Sequence, residues 1–167
     1  MEIYTDGSCR GNPGRGGWAA VIVDFRADNN PIASTSGPVR TDTTNNRMEL
    51  RAAIEGLNKF LNLNGQLPEP PEEVSVVTDS MYMVNGMTIW RQEWEEREYQ
   101  KVKNADLWEQ LNAAADTIAG LGYFLTWKWV KAHSNDQYNE VVNLMAWTAS
   151  KAACLEDSSD DVKGDGV

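Results

Sequence analysis

The sequence contains few of the residues on which many small functional proteins depend. Its 167 residues include one histidine, His133, and two cysteines, Cys9 and Cys154. So small a number of cysteines and histidines excludes a disulfide framework and a zinc site built from several of these residues. No stretch approaches the roughly 18 consecutive apolar residues of a membrane span, and no basic segment followed by an apolar one opens the chain as in a secretory signal. We therefore expect a cytoplasmic protein.

Basic side chains are also scarce. Fifteen lysines and arginines stand against 25 aspartates and glutamates, which gives a formal net charge of −10. Because lysine and arginine carry the binding of nucleic-acid phosphates, this balance taken alone argues against a nucleic-acid partner. An apolar content of 41% with seven tryptophans is enough for a sizeable core, and the length fits one domain. We expect a monomer.

Hydrophobic periodicity predicts strands first and then alternating helices and strands. The predicted strands span residues 1–6, 17–25, 31–39, 74–78 and 123–130, and the predicted helices span 46–64, 80–85, 88–99, 106–119 and 136–153. This order implies an α/β fold with helices on the faces of a mixed sheet. One domain, residues 1–154, is followed by an acidic tail, 155–167, which we expect to be disordered because it has almost no large apolar residue.

Three carboxylates occupy places where chemistry is expected in such a fold. Asp6 ends the first predicted strand, Glu49 lies in the first turn of the long helix, and Asp79 ends the buried strand. Sites in open α/β sheets form outside the carboxyl ends of strands. Each residue also has a simpler explanation, as a turn residue before Gly7, as the capping-box partner of Asn46, or as a helix cap. If the three meet in space, their charges require a cation.

Five motifs carry a resemblance to a known family. They follow one another within residues 2–153 and are Tyr4–Gly14, Thr43–Leu50, Thr78–Ser80, Val102–Trp108 and Trp127–His133. Together they resemble ribonuclease HI of the bacterial type. The resemblance implies the ribonuclease H-like fold, a five-stranded mixed β-sheet flanked by α-helices. It also implies endonucleolytic hydrolysis of the RNA strand of an RNA/DNA hybrid, which would be the partner.

The resemblance further implies a two-metal-ion site. Asp6, Glu49 and Asp79 would bind two Mg²⁺ ions, with Mn²⁺ as a substitute, because hard oxygen ligands suit these ions. His133 would shuttle a proton or assist product release; as a lone histidine it is otherwise an ordinary surface residue. The residues expected to contact the two backbones of the hybrid are Cys9, Asn12, Arg40, Thr43, Asn45 and Asn46. For the asparagines, a turn or capping role is the simpler alternative.

One position departs from the family pattern. Relatives place a fourth metal-site aspartate in the last helix, where this chain has Asn143. An amide keeps the shape and one oxygen but removes a charge, so we expect weaker binding of one metal ion and slower or absent cleavage. Glu140, about one helical turn earlier, is an alternative ligand. The sequence does not distinguish a natural variant from an engineered substitution.

A second departure concerns residues 91–101. Bacterial relatives have a basic protrusion here that holds the DNA strand, whereas this segment is shorter and net acidic. We expect modest hybrid affinity with a shallow salt dependence. Trp90 and Trp108 offer flat surfaces to sugars, although we expect at least one of Trp90 and Trp94 to pack in the core. Three interpretations stay open, namely an active hybrid endonuclease, a non-catalytic hybrid-binding module, and a DNA nuclease or transposase of the same superfamily.

Overall fold

The computed structural model describes residues 1–27, 31–132 and 136–155. The strands are β1 (Glu2–Gly11), β2 (Gly14–Val23), β3 (Pro31–Thr43), β4 (Glu73–Thr78) and β5 (Phe124–Trp129). The helices are α1 (Asn45–Asn64), α2 (Met81–Asn85), α3 (Arg91–Glu96), α4 (Ala105–Gly120) and α5 (Gln137–Leu155), with one π-helical turn (Gly86–Trp90) between α2 and α3.

The five strands form one mixed sheet in the order β3-β2-β1-β4-β5. β1 pairs antiparallel with β2, and β2 pairs antiparallel with β3. β4 pairs parallel with both β1 and β5. The predicted five-stranded mixed sheet with flanking helices is therefore confirmed, and β1 is its central strand.

The first hairpin is longer than hydrophobic periodicity predicts. β1 and β2 pair from Glu2 opposite Val23 to Gly11 opposite Gly14, so most of the glycine-dense stretch 11–17 is strand rather than turn. A side chain on Gly17 would enter the backbone of α5, with a Cβ 2.7 Å from the carbonyl carbon of Ala149. The glycine therefore allows the helix to lie directly on the hairpin.

Helix α1 begins with a cap that differs from the predicted capping box. Thr44 is extended, with φ −132° and ψ 160°, and its side chain accepts a hydrogen bond from the backbone N–H of Arg47. This bond satisfies one of the amides that a helix start leaves unpaired. The pairing of Asn46 with Glu49 is therefore wrong, and Glu49 lies in the second turn of the helix, not the first.

Hydrophobic clusters lie on both faces of the sheet. The larger cluster fills the space between the sheet, α1 and α4, and its fully buried side chains include Ile3, Phe60 and Trp108. The smaller cluster lies under α5 and includes Tyr4 and Val142. Because side chains alternate along a strand, neighbouring residues of β1 contribute to opposite clusters. None of the described helices is long and apolar enough to cross a membrane.

The acidic segment after α2 is less helical than predicted. Its helix, α3, ends at Glu96, and the following stretch contains Glu98, Tyr99, Lys101 and Asn104 with φ between 51° and 61°. Residues other than glycine seldom adopt this left-handed conformation. At the other end of the chain, α5 runs to Leu155, one residue into the predicted tail; residues 156–167 lie outside the described part, so the predicted disorder there stays a prediction.

Candidate metal centre

The strand pairing brings Asp6 next to Asp79. Asp6 lies in the middle of β1, not at its end as predicted. The parallel pairing of β1 with β4 ends with Tyr4 beside Val77. The same register continued by two residues brings Asp6 beside Asp79, the residue after β4. Both carboxylates therefore lie where two neighbouring strands of the sheet separate, which is where open α/β sheets commonly form their sites.

Glu49 reaches this point from α1, which passes over Gly7. A Cβ on Gly7 would lie 2.7 Å from the Cβ of Met48 and closer still to the backbone of Met48 and Glu49. The absence of a side chain at Gly7 thus lets the helix approach β1. One carboxylate oxygen from each of Asp6, Glu49 and Asp79 lies within 4.8 Å of the other two. The three predicted carboxylates converge.

The simpler explanations for the three carboxylates are wrong. Asp6 is a paired strand residue opposite Ala19, so it does not form a turn. Ser80, not Asp79, caps α2, because its Oγ accepts the backbone N–H of Met83 at 3.3 Å. With the capping box at Glu49 also absent, local structure requires none of these negative charges.

Crowding and burial strongly perturb the acids. Burial, followed by the charge of Asp79, raises the pKa of Asp6 to about 7, and a hydrogen bond from the backbone N–H of Gly7 opposes the rise. Burial, followed by the charges of Asp6 and Asp79, raises the pKa of Glu49 well above its ordinary value. Oε2 of Glu49 is buried without a hydrogen-bond partner. Hard oxygen donors and an unpaired buried oxygen fit a divalent cation.

Trp129 supports the site through the main chain. Its indole Nε1 donates a hydrogen bond to the backbone oxygen of Asp79 at 3.0 Å. The next residue, Val130, donates its N–H to the carbonyl of Thr78 at 2.9 Å. The end of β5 therefore fixes the backbone that carries Asp79. Sequence reasoning missed Trp129, because a contact to a carbonyl oxygen leaves no signal in the partner's side chain.

Part of the predicted substrate surface lies beside the start of α1. Oδ1 of Asn12 accepts the backbone N–H of Asn45 at 3.4 Å, and both residues are exposed. The Cys9 thiol lies 3.4 Å from the carbonyl oxygens of Gly14 and Thr43, to which it donates. Burial raises the pKa of this thiol. Cys9, Asn12 and Asn45 thus form one continuous edge between the hairpin and the helix.

The remaining backbone candidates differ in accessibility. Arg40 is exposed on β3 and Asn46 is half-buried in the first turn of α1. Thr43 is only 5% exposed, although it borders an open cavity of about 410 Å³ together with Arg47 and Arg51. Their roles toward a substrate stay predictions.

Trp108 is not a substrate residue. Its side chain is 0% exposed, its Nε1 donates to the hydroxyl of Tyr82 at 2.9 Å, and its ring packs against the backbone of Gly86. A side chain without accessible surface cannot contact a sugar, so this prediction is wrong. Trp94 packs against the larger core cluster as expected, whereas Trp90 is half-buried and its substrate role stays a prediction.

Two further predicted site residues have different outcomes. His133 lies outside the described residues. Asn143 is half-buried in α5, directly after Val142, which packs in the smaller core cluster.

The fold and the site together define a class of protein, an α/β enzyme with a carboxylate metal centre at the separation of two sheet strands. The family model described as RNase H matches residues 1–151. The ribonuclease H of Neorickettsia sennetsu is 42% identical over 151 aligned residues, covering 86% of this chain and 88% of that protein. The ribonuclease HI of Xylella fastidiosa is also 42% identical, covering 87% and 89%.

Solved structures agree with these relatives. LC11-RNase H1 in complex with an RNA/DNA hybrid is 27% identical and superposes with a TM-score of 0.67, covering 92% of this chain and 98% of that one. LC9-RNase H1, described as a type 1 RNase H with the type 2 active-site motif, is 29% identical with a TM-score of 0.68, covering 91% and 72%. The chain belongs to the RNase H family of metal-dependent endoribonucleases.

Proposed function

We propose that this protein hydrolyses the RNA strand of RNA/DNA hybrids endonucleolytically, with two Mg²⁺ ions that Mn²⁺ can replace. The observation that carries the proposal is the convergence of Asp6, Glu49 and Asp79 within 4.8 Å. A relative solved in complex with an RNA/DNA hybrid supports the substrate. The net charge of −10 argues against a nucleic-acid partner only when it is taken alone. Three of the 25 acids are the carboxylates of the candidate metal site, where bound cations would offset their charge.

Each residue of the site would have its own role in the reaction. Asp6, Glu49 and Asp79 would hold the ions, because their carboxylate oxygens converge within 4.8 Å. When bound, the ions supply activation of a water and stabilisation of the departing 3′ oxygen. Glu49 would also approach the 2′-hydroxyl, which distinguishes RNA from DNA. His133 would move a proton near the leaving group.

The surrounding surface would hold the two strands. Asn12, Asn45 and Asn46, with the main chain near Cys9, would contact the backbones in the minor groove. Arg40 and Thr43 would take a phosphate of the DNA strand, and Trp90 would offer a ring face to a sugar. Direct phosphate contacts position a duplex without reading its sequence, so little sequence preference is expected.

Contacts of α5 support a place for Asn143 near the metal ligands. Tyr4, Asp6 and Ser8 share one face of β1 by strand alternation. The ring of Tyr4 lies 5.4 Å from that of Tyr138 near the start of α5, and Oγ of Ser8 lies 3.3 Å from Oγ of Ser150 near its end. Asn143 lies between these two contact points. An amide here would leave one ion with one negative ligand fewer.

Asn143 also favours a second candidate function. With a neutral residue at the fourth position, the same groove can hold a hybrid without turning it over. The protein would then be a non-catalytic hybrid-binding module. Cleavage measurements separate the two candidates, because metal-dependent binding without any product supports only the second.

The test compares three substrates and three variants. The parent chain is assayed on a hybrid, on duplex DNA and on duplex RNA, in Mg²⁺ and in Mn²⁺. Asn143→Asp should cleave the hybrid faster, most clearly in Mg²⁺, while Asn58→Asp adds the same charge on the exposed side of α1 and should change nothing. Asp6→Asn should abolish cleavage. An unchanged rate in Asn143→Asp would remove Asn143 from the mechanism, and equal cleavage of duplex DNA would contradict the substrate.

We also propose that the protein acts as a monomer in the cytoplasm. Light scattering at the concentrations of the cleavage assay tests the first part. A concentration-dependent dimer with higher specific activity would contradict it.

A further inference from the structure

Trp147 of α5 holds two cations over its indole. The guanidinium carbon of Arg10, near the end of β1, lies 5.2 Å from the ring centroid. Nζ of Lys151, one turn further along the helix, lies 3.9 Å from it. Both distances are within the range of cation–π attraction. Arg10 and Lys151 are exposed, and Trp147 is 41% exposed. We name Arg10, Trp147 and Lys151 the cationic patch.

The charges of this patch are not neutralised within the described part of the chain. Several other basic side chains among the described residues lie against acids, as Arg26 does on Asp24, Arg47 on Asp106 and Lys128 on Glu2. Neither Arg10 nor Lys151 has such an ion pair among the described residues. In a chain with ten more acids than bases, two unneutralised cations on one ring form a local positive surface.

A third cation borders the patch. Arg15 lies directly opposite Arg10 in the pairing of β1 with β2. Its Nη1 donates to the carbonyl oxygen of Ala153 at 3.0 Å, which fixes the side chain along the end of α5. The hairpin end and the last turns of α5 therefore share one basic face.

The patch continues the face of the sheet on which the carboxylate site lies. Asp6, Ser8 and Arg10 are alternate residues of β1 and point to the same side, toward α5. Ser8 contacts Ser150 of that helix, one residue before Lys151. Four strand residues span about 13 Å, so Arg10 lies roughly that far beyond Asp6 along β1.

This spacing fits a nucleic-acid strand that passes both places. For a duplex whose axis runs along β1, one phosphate per strand recurs about every 3.4 Å, so about 13 Å corresponds to roughly four nucleotides. Arginine and lysine are the side chains that bind phosphate, and a ring that stacks both of them holds their head groups in place without neutralising them.

We propose that the cationic patch binds backbone phosphates of the hybrid about four nucleotides from the bond that is cleaved. The inference rests on the proposed function, since it extends the same groove. It also supplies the grip that the acidic segment after α2 lacks. The patch is therefore an affinity site, and it takes no part in the hydrolysis itself.

The test uses the full chain and a fluorescently labelled hybrid, with EDTA present to prevent cleavage. Arg10→Gln/Lys151→Gln removes both cations, and Lys59→Gln/Lys128→Gln removes the same charge from α1 and β5 as the control. We expect the patch variant to bind about tenfold more weakly and to lose about two from the slope of log Kd against log salt, because each phosphate contact contributes about one. The control should lose little of either.

A length series makes the test positional. The parent should lose affinity once the hybrid is too short to reach from the carboxylate site to the patch, a span of about four base pairs. The patch variant should be insensitive to that shortening. Trp147→Phe keeps a ring under the cations and should keep the affinity, while Trp147→Leu should lose part of it.

The outcomes separate the inference from the function on which it rests. If the parent binds and cleaves the hybrid and the patch variant matches the control, the inference is wrong and the proposed function stands. A parent that neither binds nor cleaves the hybrid removes both. The acidic residues of 156–167 are replaced by amides in a further arm. If this neutralisation abolishes the difference between parent and patch variant, the patch serves the chain's own acids and the inference is again wrong.

Discussion

Replacing Asp6 by asparagine should stabilise the metal-free protein at neutral pH. The carboxyl is 7% exposed and lies against Asp79 and Glu49. Its pKa rises from 3.8 to about 7 in the folded protein, through burial first and the charge of Asp79 second. Ionising it in place therefore opposes folding. Asparagine has no charge to lose, and its side-chain oxygen can still accept the N–H of Gly7.

The size of the effect follows from the pKa. Each unit corresponds to about 1.4 kcal/mol, so a rise from 3.8 to about 7 amounts to about 4 kcal/mol once both states are ionised. The asparagine variant should recover about 2 to 4 kcal/mol of this at pH 8, because amide geometry reproduces the carboxylate contacts only in part.

The direction in which the free energy of unfolding changes with pH follows from proton uptake. Between about pH 4 and pH 7 the folded parent binds more protons than the unfolded chain, so its free energy of unfolding falls as the pH rises through this window. The asparagine variant lacks this fall at Asp6. Urea unfolding in EDTA at pH 4, 6 and 8 should therefore give similar stabilities at pH 4 and a growing advantage for the variant above it. Parallel pH curves for the two proteins would refute the reasoning.

Metal binding should make the parent more stable than the Asp6→Asn variant. Mg²⁺ that binds the folded site would stabilise the parent by mass action, whereas the asparagine variant lacks one carboxylate ligand and should gain little. Binding should also release protons from Asp6 and Glu49, because a ligand carboxylate must be ionised. Calorimetry of Mn²⁺ binding at pH 6.5 in two buffers of different ionisation enthalpy measures this release.

Three further perturbations test the framework of the site. Gly7→Ala places a Cβ 2.7 Å from that of Met48, so it should cost about 1 to 3 kcal/mol and weaken Mn²⁺ binding measured by calorimetry. Trp129→Phe removes the bond to the backbone of Asp79; we expect a loss of about 1 kcal/mol in urea unfolding and weaker Mn²⁺ binding, and an unchanged Mn²⁺ affinity would contradict the positioning role. Lys101→Gly relieves a φ of 60° and should stabilise by about 0.5 to 1 kcal/mol.

Elements with one buried face could be predicted from the sequence. α1 and β4 bury apolar residues at helical and continuous spacing, and both appear close to the predicted bounds. The second half of β1 could not be predicted, because Ser8 and Cys9 lack strand preference and extend only by pairing with β2. The overlong prediction for α3 has another cause, since the left-handed backbone from Glu98 onward leaves no signal in side-chain pattern.

The three carboxylates of the site were predictable from the sequence, but their geometry was not. The motifs around Asp6, Glu49 and Asp79 identify the carboxylates, yet each has a local alternative that spacing cannot exclude. Only the register of β1 against β4 and the passage of α1 over Gly7 bring them together. Trp108 was misjudged because an indole suits a core as well as a sugar, and its bond to Tyr82 is a tertiary contact.

The unequal clusters on the two faces of the sheet have a consequence for cooperativity. Among the described residues, α1 and α4 share the larger cluster, whereas α5 rests on the smaller one. Elements held by fewer apolar contacts open at lower free energy, so amides of α5 should exchange before those of α1. That helix carries Asn143, Trp147 and Lys151. A bound hybrid that contacts these residues would therefore slow amide exchange in α5.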